Sequence, residues 1–367
     1  MVQVIYSPSR YIQGGGELHK LGNYCKQLGA KQAYAIVDPF ILSGHREAIA
    51  ASFAECSIPL ELTAMQGECS RVQAEAMIAA VELDHVDIIL GIGGGKTMDM
   101  AKAVSEFAVL PVIVVPTAAS TDAACSALSV LYTEAGDFDR YLPLTRSPAA
   151  VIADTSLIAK APPRLLAAGM GDALSTFYEA RACHASGALT SAGGTGSIAA
   201  LALARACRDT LFLYGEAALS DVRAGVCSLA VEHIVEANIY LSGIGFESGG
   251  LAAAHAVHNG LSVLEECRGK LHGEKVAFAT IVQLVLERAA EEEIAEAILF
   301  CRSLGLPVTL QELGLEGISV DKLRLAAAAS CAEDSPMGNM PFRVEPEDVL
   351  AAIIAADKRG METAGSS

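Results

Sequence analysis

The feature that most constrains the fold is a nearly continuous apolar run at residues 86–92, which leads into three consecutive glycines and a lysine. Such a run is typical of a central parallel strand, which is buried on both faces. The residues that follow, 100–107, predict a helix, so the glycines lie where a strand turns into a helix. Because glycine lets a ligand approach the backbone and a helix start has free N–H groups, this junction favours phosphate binding. The glycines match neither the GxGxxG nor the P-loop pattern, and a tight structural turn is the alternative explanation.

Strand and helix patterns alternate through the first half of the chain. The stretches that predict strands lie at residues 2–6, 10–12, 33–38, 59–65, 86–92, 111–115 and 149–154. Two further stretches, residues 126–132 and 140–144, suit a hairpin. Alternating strands and helices predict an α/β doubly wound fold with a parallel sheet.

The pattern changes after Pro162 and Pro163, where long segments rich in Ala, Leu and Glu are interrupted by glycines. Few runs of β-branched residues remain, which predicts a helical second part. We therefore expect an α/β dinucleotide-binding domain at residues 1–160 and an all-α domain at residues 161–367. The second domain is expected to bind the metal and the substrate.

Composition excludes several classes of function. A net charge of −17 argues against nucleic acid as a partner, because phosphate binding needs a basic surface. Mean hydropathy is high, at +0.39, yet no apolar run reaches the roughly 18–20 residues of a membrane span. The N-terminal residues show no signal-peptide pattern, so a cytoplasmic location is expected. The ten cysteines form no CxxC pair, which indicates reduced, mostly buried thiols.

Three residues are candidate ligands of a divalent metal ion. His255 lies in a helical pattern lined by Gly and Ala, His272 begins another apolar helix, and Asp172 lies among Ala, Leu and Gly. A bare carboxylate in such surroundings is costly unless it is paired or bound to metal. Aspartate with two histidines makes a three-ligand site with an open position. The alternatives are hydrogen-bonded core histidines and an aspartate N-cap, and spacing alone cannot bring Asp172 to His255.

Two charged residues are candidates for binding a dinucleotide. Asp38 ends a predicted strand, where a carboxylate can accept hydrogen bonds from an adenosine ribose and repel a 2′-phosphate. This favours NAD over NADP, although a turn formed with Pro39 explains the same residue equally well. Lys96 adds a cation at the end of the glycine run.

The loop after residues 111–115 is rich in small side chains and follows a central strand, where open α/β sheets hold their ligands. Thr117, Ser120 and Ser126 can donate hydrogen bonds from this loop. Asp122 is positioned to orient a substrate hydroxyl, and an ordinary Asp-turn is the alternative.

Together these stretches resemble the glycerol dehydrogenases, a zinc-dependent branch of the iron-containing alcohol dehydrogenase superfamily. The resemblance extends from residue 11 to residue 341, so it covers nearly the whole chain. The motifs that carry it are GIGGGKTMD at residues 91–99, ASTD at 119–122, SALSV at 126–130, GDAL at 171–174, GFESGG at 245–250 and HGEK at 272–275.

The resemblance implies NAD-dependent oxidation of glycerol to dihydroxyacetone, or of related vicinal diols, on a fold similar to that of dehydroquinate synthase. It places the metal on Asp172, His255 and His272. Thr176 stands where the iron-binding members carry a histidine, which favours zinc over iron. The resemblance also implies a homo-oligomer, often an octamer in this family.

The remaining site residues follow from the resemblance in the same way. NAD is expected near Asp38, Gly94, Gly95, Lys96, Thr117, Ser120, Ser126, Leu128 and Tyr132. The substrate is expected near Asp122 and Phe246. Asp122, Asp172, His255 and His272 form the expected catalytic set. His258, three residues after His255, is expected to line the pocket or support the ligands, with direct metal binding as the alternative.

Two rival functions remain open at this point. A non-redox enzyme related to dehydroquinate synthase would need a dense basic pocket for a phosphorylated substrate, and only Arg268, Lys270 and Lys275 lie near the metal-binding stretch. A nucleotide-binding sensor or a structural oligomer would need a metal site that catalyses no reaction.

Overall fold

The computed structural model of the protein describes residues 2–81 and 85–364. Six of the described strands form one parallel sheet in the order β1-β8-β5-β4-β2-β3, and β6 pairs with β7 as an antiparallel hairpin. The strands are β1 (Tyr11–Gly14), β2 (Ala33–Val37), β3 (Leu60–Ala64), β4 (Ile88–Gly93), β5 (Val112–Pro116), β6 (Leu128–Tyr132), β7 (Phe138–Pro143) and β8 (Ala150–Asp154).

Helices lie between the strands and make up nearly all of the regular structure after β8. The helices are α1 (Leu21–Gln27), α2 (Pro39–Glu55), α3 (Arg71–Ala80), α4 (Gly95–Ala108), α5 (Thr155–Ile158), α6 (Pro163–Ser186), α7 (Ile198–Arg223), α8 (Leu229–Glu236), α9 (Ser242–Gly249), α10 (Ala253–Ser262), α11 (His272–Leu286), α12 (Glu291–Ser303), α13 (Val320–Ser330) and α14 (Pro346–Ala364). A π-helical segment, Ala237–Leu241, joins α8 to α9.

The strand order reverses between β2 and β4. The chain passes from β2 outward to β3, returns to β4 on the other side of β2, and continues to β5. All these pairings are parallel, so the carboxyl ends of β2, β4 and β5 lie side by side at one edge of the sheet. A reversal of this kind leaves a crevice between neighbouring loops, and this is where doubly wound sheets bind ligands.

Strand residues alternate between two apolar clusters. Ala35 and Val37 of β2 face the cluster covered by α1 and α2, whereas Tyr34 and Ile36 face the opposite way. The second cluster contains residues of α3 and α4 and runs on into the helices that follow β8, including Met170 of α6. One face of the sheet therefore shares a continuous apolar core with the helical part of the chain.

The predicted fold class, a parallel α/β sheet followed by a helical part, is confirmed. The predicted strand at residues 2–6 is wrong, because Gln3 makes only an isolated bridge to Thr195. Most of these residues are exposed, and Tyr6 donates its amide hydrogen to the Ser248 side chain instead of to a ladder. The division at residue 160 stays a prediction. None of the described helices is long and apolar enough to cross a lipid bilayer.

Candidate active site

Helix α6 carries the centre of the site. Asp172, Thr176 and Glu179 are spaced four and three residues apart, so all three side chains lie on one face of the helix. Asp172 is only 1% exposed and Glu179 is fully buried. Gly273 at the start of α11 allows the close packing of α6 and α11, because a Cβ atom there would lie 1.7 Å from the Ala168 carbonyl oxygen.

The two predicted histidine ligands meet Asp172. His272 is the first residue of α11, and its Nε2 lies 3.1 Å from Asp172 Oδ1. His255 comes from α10, and its Nε2 lies 3.6 Å from the same oxygen. One ligand atom from each of these three residues lies within 4.8 Å of the other two. Two imidazole nitrogens and one carboxylate oxygen form a donor set suited to zinc and to other divalent metals of the first transition row.

The electrostatics of the cluster favour a cation. Burial raises the pKa of Asp172, but the two histidines outweigh burial and hold that pKa below its usual range. Burial lowers the pKa of His255, but Glu179 and Asp172 outweigh burial and raise that pKa well above its ordinary value. Two buried carboxylates therefore attract positive charge to the space between the histidines.

Glu179 is a functional candidate that the sequence reasoning missed. Its Oε2 lies 2.7 Å from His255 Nδ1, and its Oε1 accepts the backbone N–H groups of Ala252 and His255 at 2.8 Å each. A carboxylate on the far nitrogen fixes the tautomer of a ligand histidine and directs the other nitrogen at the metal. The signal was the seven-residue spacing from Asp172, which places both carboxylates on one helix face.

We expect Glu179→Gln to weaken zinc binding about 10- to 100-fold, the usual cost of losing a partner of a ligand histidine. A glutamine has one oxygen and one NH₂ group, so it cannot accept from the two amides and from His255 Nδ1 together. Competition of the purified protein with a coloured zinc chelator measures the change. Exposed Glu47 of α2 supplies the matched control, Glu47→Gln, which should leave affinity unchanged. Equal affinity in both variants would contradict the role of Glu179.

Asp122 lies beside Asp172 and is held by the Ser242 hydroxyl, which in turn bonds to the Thr176 hydroxyl. Its amide donates to Asp172 Oδ2 at 3.3 Å, and its Oδ2 accepts from Ser242 Oγ at 2.7 Å. Ser242 Oγ lies 2.7 Å from Thr176 Oγ1, and since Ser242 has given its hydrogen to Asp122, Thr176 is the donor. Burial raises the pKa of Asp122 well above its usual range, and the charge of Asp172 raises it further. Thr176, one turn after Asp172, thus holds Asp122 through Ser242.

The π-helical segment fixes the loop that carries Asp122. Asn238 in this segment donates to the Ala119 carbonyl at 2.9 Å and to the Leu166 carbonyl at 3.3 Å. A Cβ atom on Gly169 would lie 1.9 Å from the Ala119 oxygen, so only glycine fits there. Single π-helical turns often occur at functional sites. Here the turn binds the loop to the helix that bears Asp172.

Several of the predicted nucleotide residues follow the carboxyl ends of β2, β4 and β5, namely Asp38, Gly94, Gly95, Thr117 and Ser120. The Asp38 amide donates to the Ile92 carbonyl at 2.9 Å, and the Thr117 amide donates to the Gly93 carbonyl at 3.1 Å. These two hydrogen bonds join the carboxyl ends of β2, β4 and β5. Within residues 2–81 and 85–364, no side chain caps the start of α4. Apart from their chain neighbours and nearby helix backbone, Cβ atoms on Gly94 or Gly95 would meet no atom of the described residues within 4 Å, so packing against these residues does not require glycine at either position. The space beside them suits a ligand that approaches the backbone.

The side chains of the predicted nucleotide residues make the following contacts. The Asp38 carboxylate accepts from the Phe40 and Ile41 amides, so the turn role that competed with ribose binding is present in the structure. Lys96 pairs with Glu68 at 2.7 Å. Ser126 is 1% exposed and donates its hydroxyl hydrogen to the Ala123 carbonyl. Ser120, Leu128 and Tyr132 are half-buried.

The remaining predicted residues, Phe246 and His258, are both buried. Phe246 is 6% exposed on α9, one turn after Ser242, which places it on the same side of that helix as the group that holds Asp122. His258 is 9% exposed, and its ring centroid lies 4.2 Å from that of His272. Burial lowers the pKa of His258, and His272 lowers it further.

Comparison with known proteins agrees with these features. The family described as iron-containing alcohol dehydrogenase matches residues 8–155. A glycerol dehydrogenase from Citrobacter freundii is 49% identical over 362 residues, which cover 99% of each chain. One from Thermotoga maritima is 45% identical over 361 residues, or 98% of each chain. The crystal structure of glycerol dehydrogenase from Schizosaccharomyces pombe superposes with a TM-score of 0.96 at 36% identity, and covers 100% of this chain and 94% of that one.

Proposed function

The chain belongs to the iron-containing alcohol dehydrogenase family, among its glycerol dehydrogenases, and we propose that it oxidises glycerol and related vicinal diols with NAD⁺. The observation that carries the proposal is the convergence of Asp172, His255 and His272 beside the buried Asp122. Glycerol oxidised at its secondary hydroxyl gives dihydroxyacetone. The relatives from Citrobacter freundii and Thermotoga maritima are glycerol dehydrogenases, which supports glycerol as the substrate.

The donor set fits a resident metal ion. Asp172, His255 and His272 would hold it, and Glu179 would fix His255. We propose zinc, because the position of Thr176 supplies no fourth nitrogen ligand. The Thr176 hydroxyl is instead hydrogen-bonded to Ser242. When bound, the divalent ion would polarise the substrate hydroxyl and lower its pKa, NAD⁺ would accept the hydride, and the hydroxyl proton would be released to solvent.

The protein's own residues would orient the substrate between these two groups. Ser242 holds the Asp122 carboxylate beside Asp172, where it can accept a hydrogen bond from a second substrate hydroxyl. A substrate with two adjacent hydroxyls would gain from this contact, whereas a simple monoalcohol would not. Phe246 would add an apolar wall and help to exclude water from the same side.

The sheet edge fits the dinucleotide. Gly94 and Gly95 leave open space at the uncapped start of α4, where free N–H groups can bind the pyrophosphate. Asp38 at the end of β2 would face the adenosine ribose and repel a 2′-phosphate, which favours NAD over NADP. Thr117 and Ser120 lie on the neighbouring loop and would contact the rest of the cofactor.

The test is NADH formation, followed by absorbance, with glycerol, propane-1,2-diol and a simple monoalcohol. We expect turnover with both diols, little with the monoalcohol, loss of activity on chelation, and recovery with zinc. Recovery with ferrous ion but not with zinc would reassign the metal. Absence of NADH with every diol, in protein shown to hold zinc and NAD⁺, would overturn the proposed reaction.

Two broader properties remain proposals. We propose that the protein is a cytoplasmic oxidoreductase, and its 49% identity to a glycerol dehydrogenase supports the oxidoreductase part of this proposal. We also propose that it assembles as a homo-oligomer, which size-exclusion chromatography with light scattering measures directly.

A further inference from the structure

A buried lysine outside the predicted site donates all three of its hydrogen bonds to one short segment. Lys102 of α4 is fully buried. Its Nζ donates to the Ala123 carbonyl at 2.5 Å, to Ser126 Oγ at 3.3 Å and to the Leu128 carbonyl at 3.0 Å. An ammonium group has three donors, so none is left for a ligand. All three acceptors lie within residues 123–128, hereafter the 123–128 segment.

The same segment is held from a second side by α9. Glu247 accepts the Ala127 amide at 2.7 Å, and burial raises the pKa of that carboxyl to about 7. A Cβ atom on Gly243 would lie 2.9 Å from the Asp122 carbonyl oxygen and 3.0 Å from Cys125 Cβ, so α9 packs directly on the segment. A buried cation is costly unless it is well paired, and a methionine of similar length would fill the same space without that cost.

Helix α4 also carries the glycine junction. Gly95 begins this helix, and Lys102 lies seven residues later on the same helix face. One rigid element therefore sets the spacing between the open space at Gly94 and Gly95 and the 123–128 segment. In the function proposed above, these two places hold different parts of the same dinucleotide.

We propose that Lys102 is a positioning residue for the cofactor, which holds the 123–128 segment in the shape that places Ser126 and Leu128 against NAD. This inference rests on the proposed function, because it takes the sheet edge to be the nucleotide site. Lys102 acts through the segment and touches neither cofactor nor substrate.

Lys102→Met tests the role, with NADH affinity measured by fluorescence titration in the absence of substrate. We expect the dissociation constant to rise about tenfold or more, because the hydrogen bonds of a charged donor are lost. The KM for NAD⁺ should rise more than kcat falls, and the amount of bound zinc should not change. Backbone amides of residues 123–130 should exchange with deuterium faster than in the wild type.

Ser105→Ala is the matched control. Ser105 lies one turn further along α4, is buried, and donates to the Leu110 carbonyl at 2.7 Å without touching the segment. It should lose stability but keep its NADH affinity. A folded Lys102→Met variant with wild-type NADH affinity would overturn the proposal.

The outcomes separate this inference from the proposed function. Wild-type protein that does not bind NADH would refute the nucleotide site itself, whatever Lys102→Met does. If Lys102→Met does not fold, Lys102→Gln, which keeps a shorter donor, takes its place. Failure of both to fold would assign Lys102 a general role in stability and would overturn the positioning role.

Discussion

Asp172→Ala is expected to abolish metal binding and to lower kcat/KM for glycerol about a thousandfold or more, with the protein still folded. Both histidines of the cluster lie within 4 Å of the Asp172 carboxylate, so its loss removes the one oxygen donor that they share. A Lewis-acid contribution of several kcal/mol corresponds to a rate effect of about this size. Zinc content by elemental analysis and initial rates of NADH formation measure the two effects, and circular dichroism checks the fold.

The control for this variant is Asp321→Ala on α13, where the side chain is 90% exposed. It should keep full zinc content and full activity. Stoichiometric zinc in Asp172→Ala would show that other residues hold the metal. Full activity in zinc-free Asp172→Ala would remove the metal from the reaction altogether.

Gly95→Val is expected to weaken NADH binding about a hundredfold while leaving the free energy of unfolding within about 0.5 kcal/mol of the wild type. A Cβ atom here would meet no atom of the other described residues within 4 Å, apart from its own chain neighbours and helix backbone, so we expect the folded protein to accept a side chain. It would occupy the space in which a pyrophosphate reaches the amides at the start of α4. Fluorescence titration with NADH and urea denaturation without ligand measure the two quantities separately.

Gly44→Ala serves as the control, because Gly44 lies in α2 and a Cβ atom there would likewise meet no atom of the other described residues within 4 Å, apart from its chain neighbours and helix backbone. It should stabilise the protein by up to about 1 kcal/mol, as alanine does in a helix, and leave NADH affinity unchanged. Normal NADH affinity in Gly95→Val would place the pyrophosphate elsewhere. A large loss of stability in Gly95→Val would mean that the glycine serves the fold.

The parallel sheet was predictable because its buried strands are short apolar runs with turn signals at both ends. Residues 86–92 are the clearest case, and the structure has β4 at Ile88–Gly93. The strand predicted at residues 2–6 failed because an apolar pattern says nothing about whether a neighbouring strand lies beside it.

The candidate metal ligands were also predictable as separate residues, but only the resemblance joined them. Asp172 and His255 are 83 residues apart in the chain, and their meeting depends on how α6, α10 and α11 pack. Glu179, Ser242 and Lys102 were missed for the same reason. Each acts through a partner on another element of the fold. The seven-residue spacing of Asp172 and Glu179 indicates a shared helix face, but it does not reveal the partner.

The apolar core that runs from one face of the sheet into the helices makes the two parts of the chain share their stability. Unfolding of either part would expose apolar surface of the other part to water, so we expect the unfolding of the two parts to be coupled. Any ligand that binds only the native state raises the melting temperature of the whole cooperative unit. A nucleotide at the sheet edge would therefore protect the metal-binding helices from heat, and a metal ion on those helices would protect the sheet.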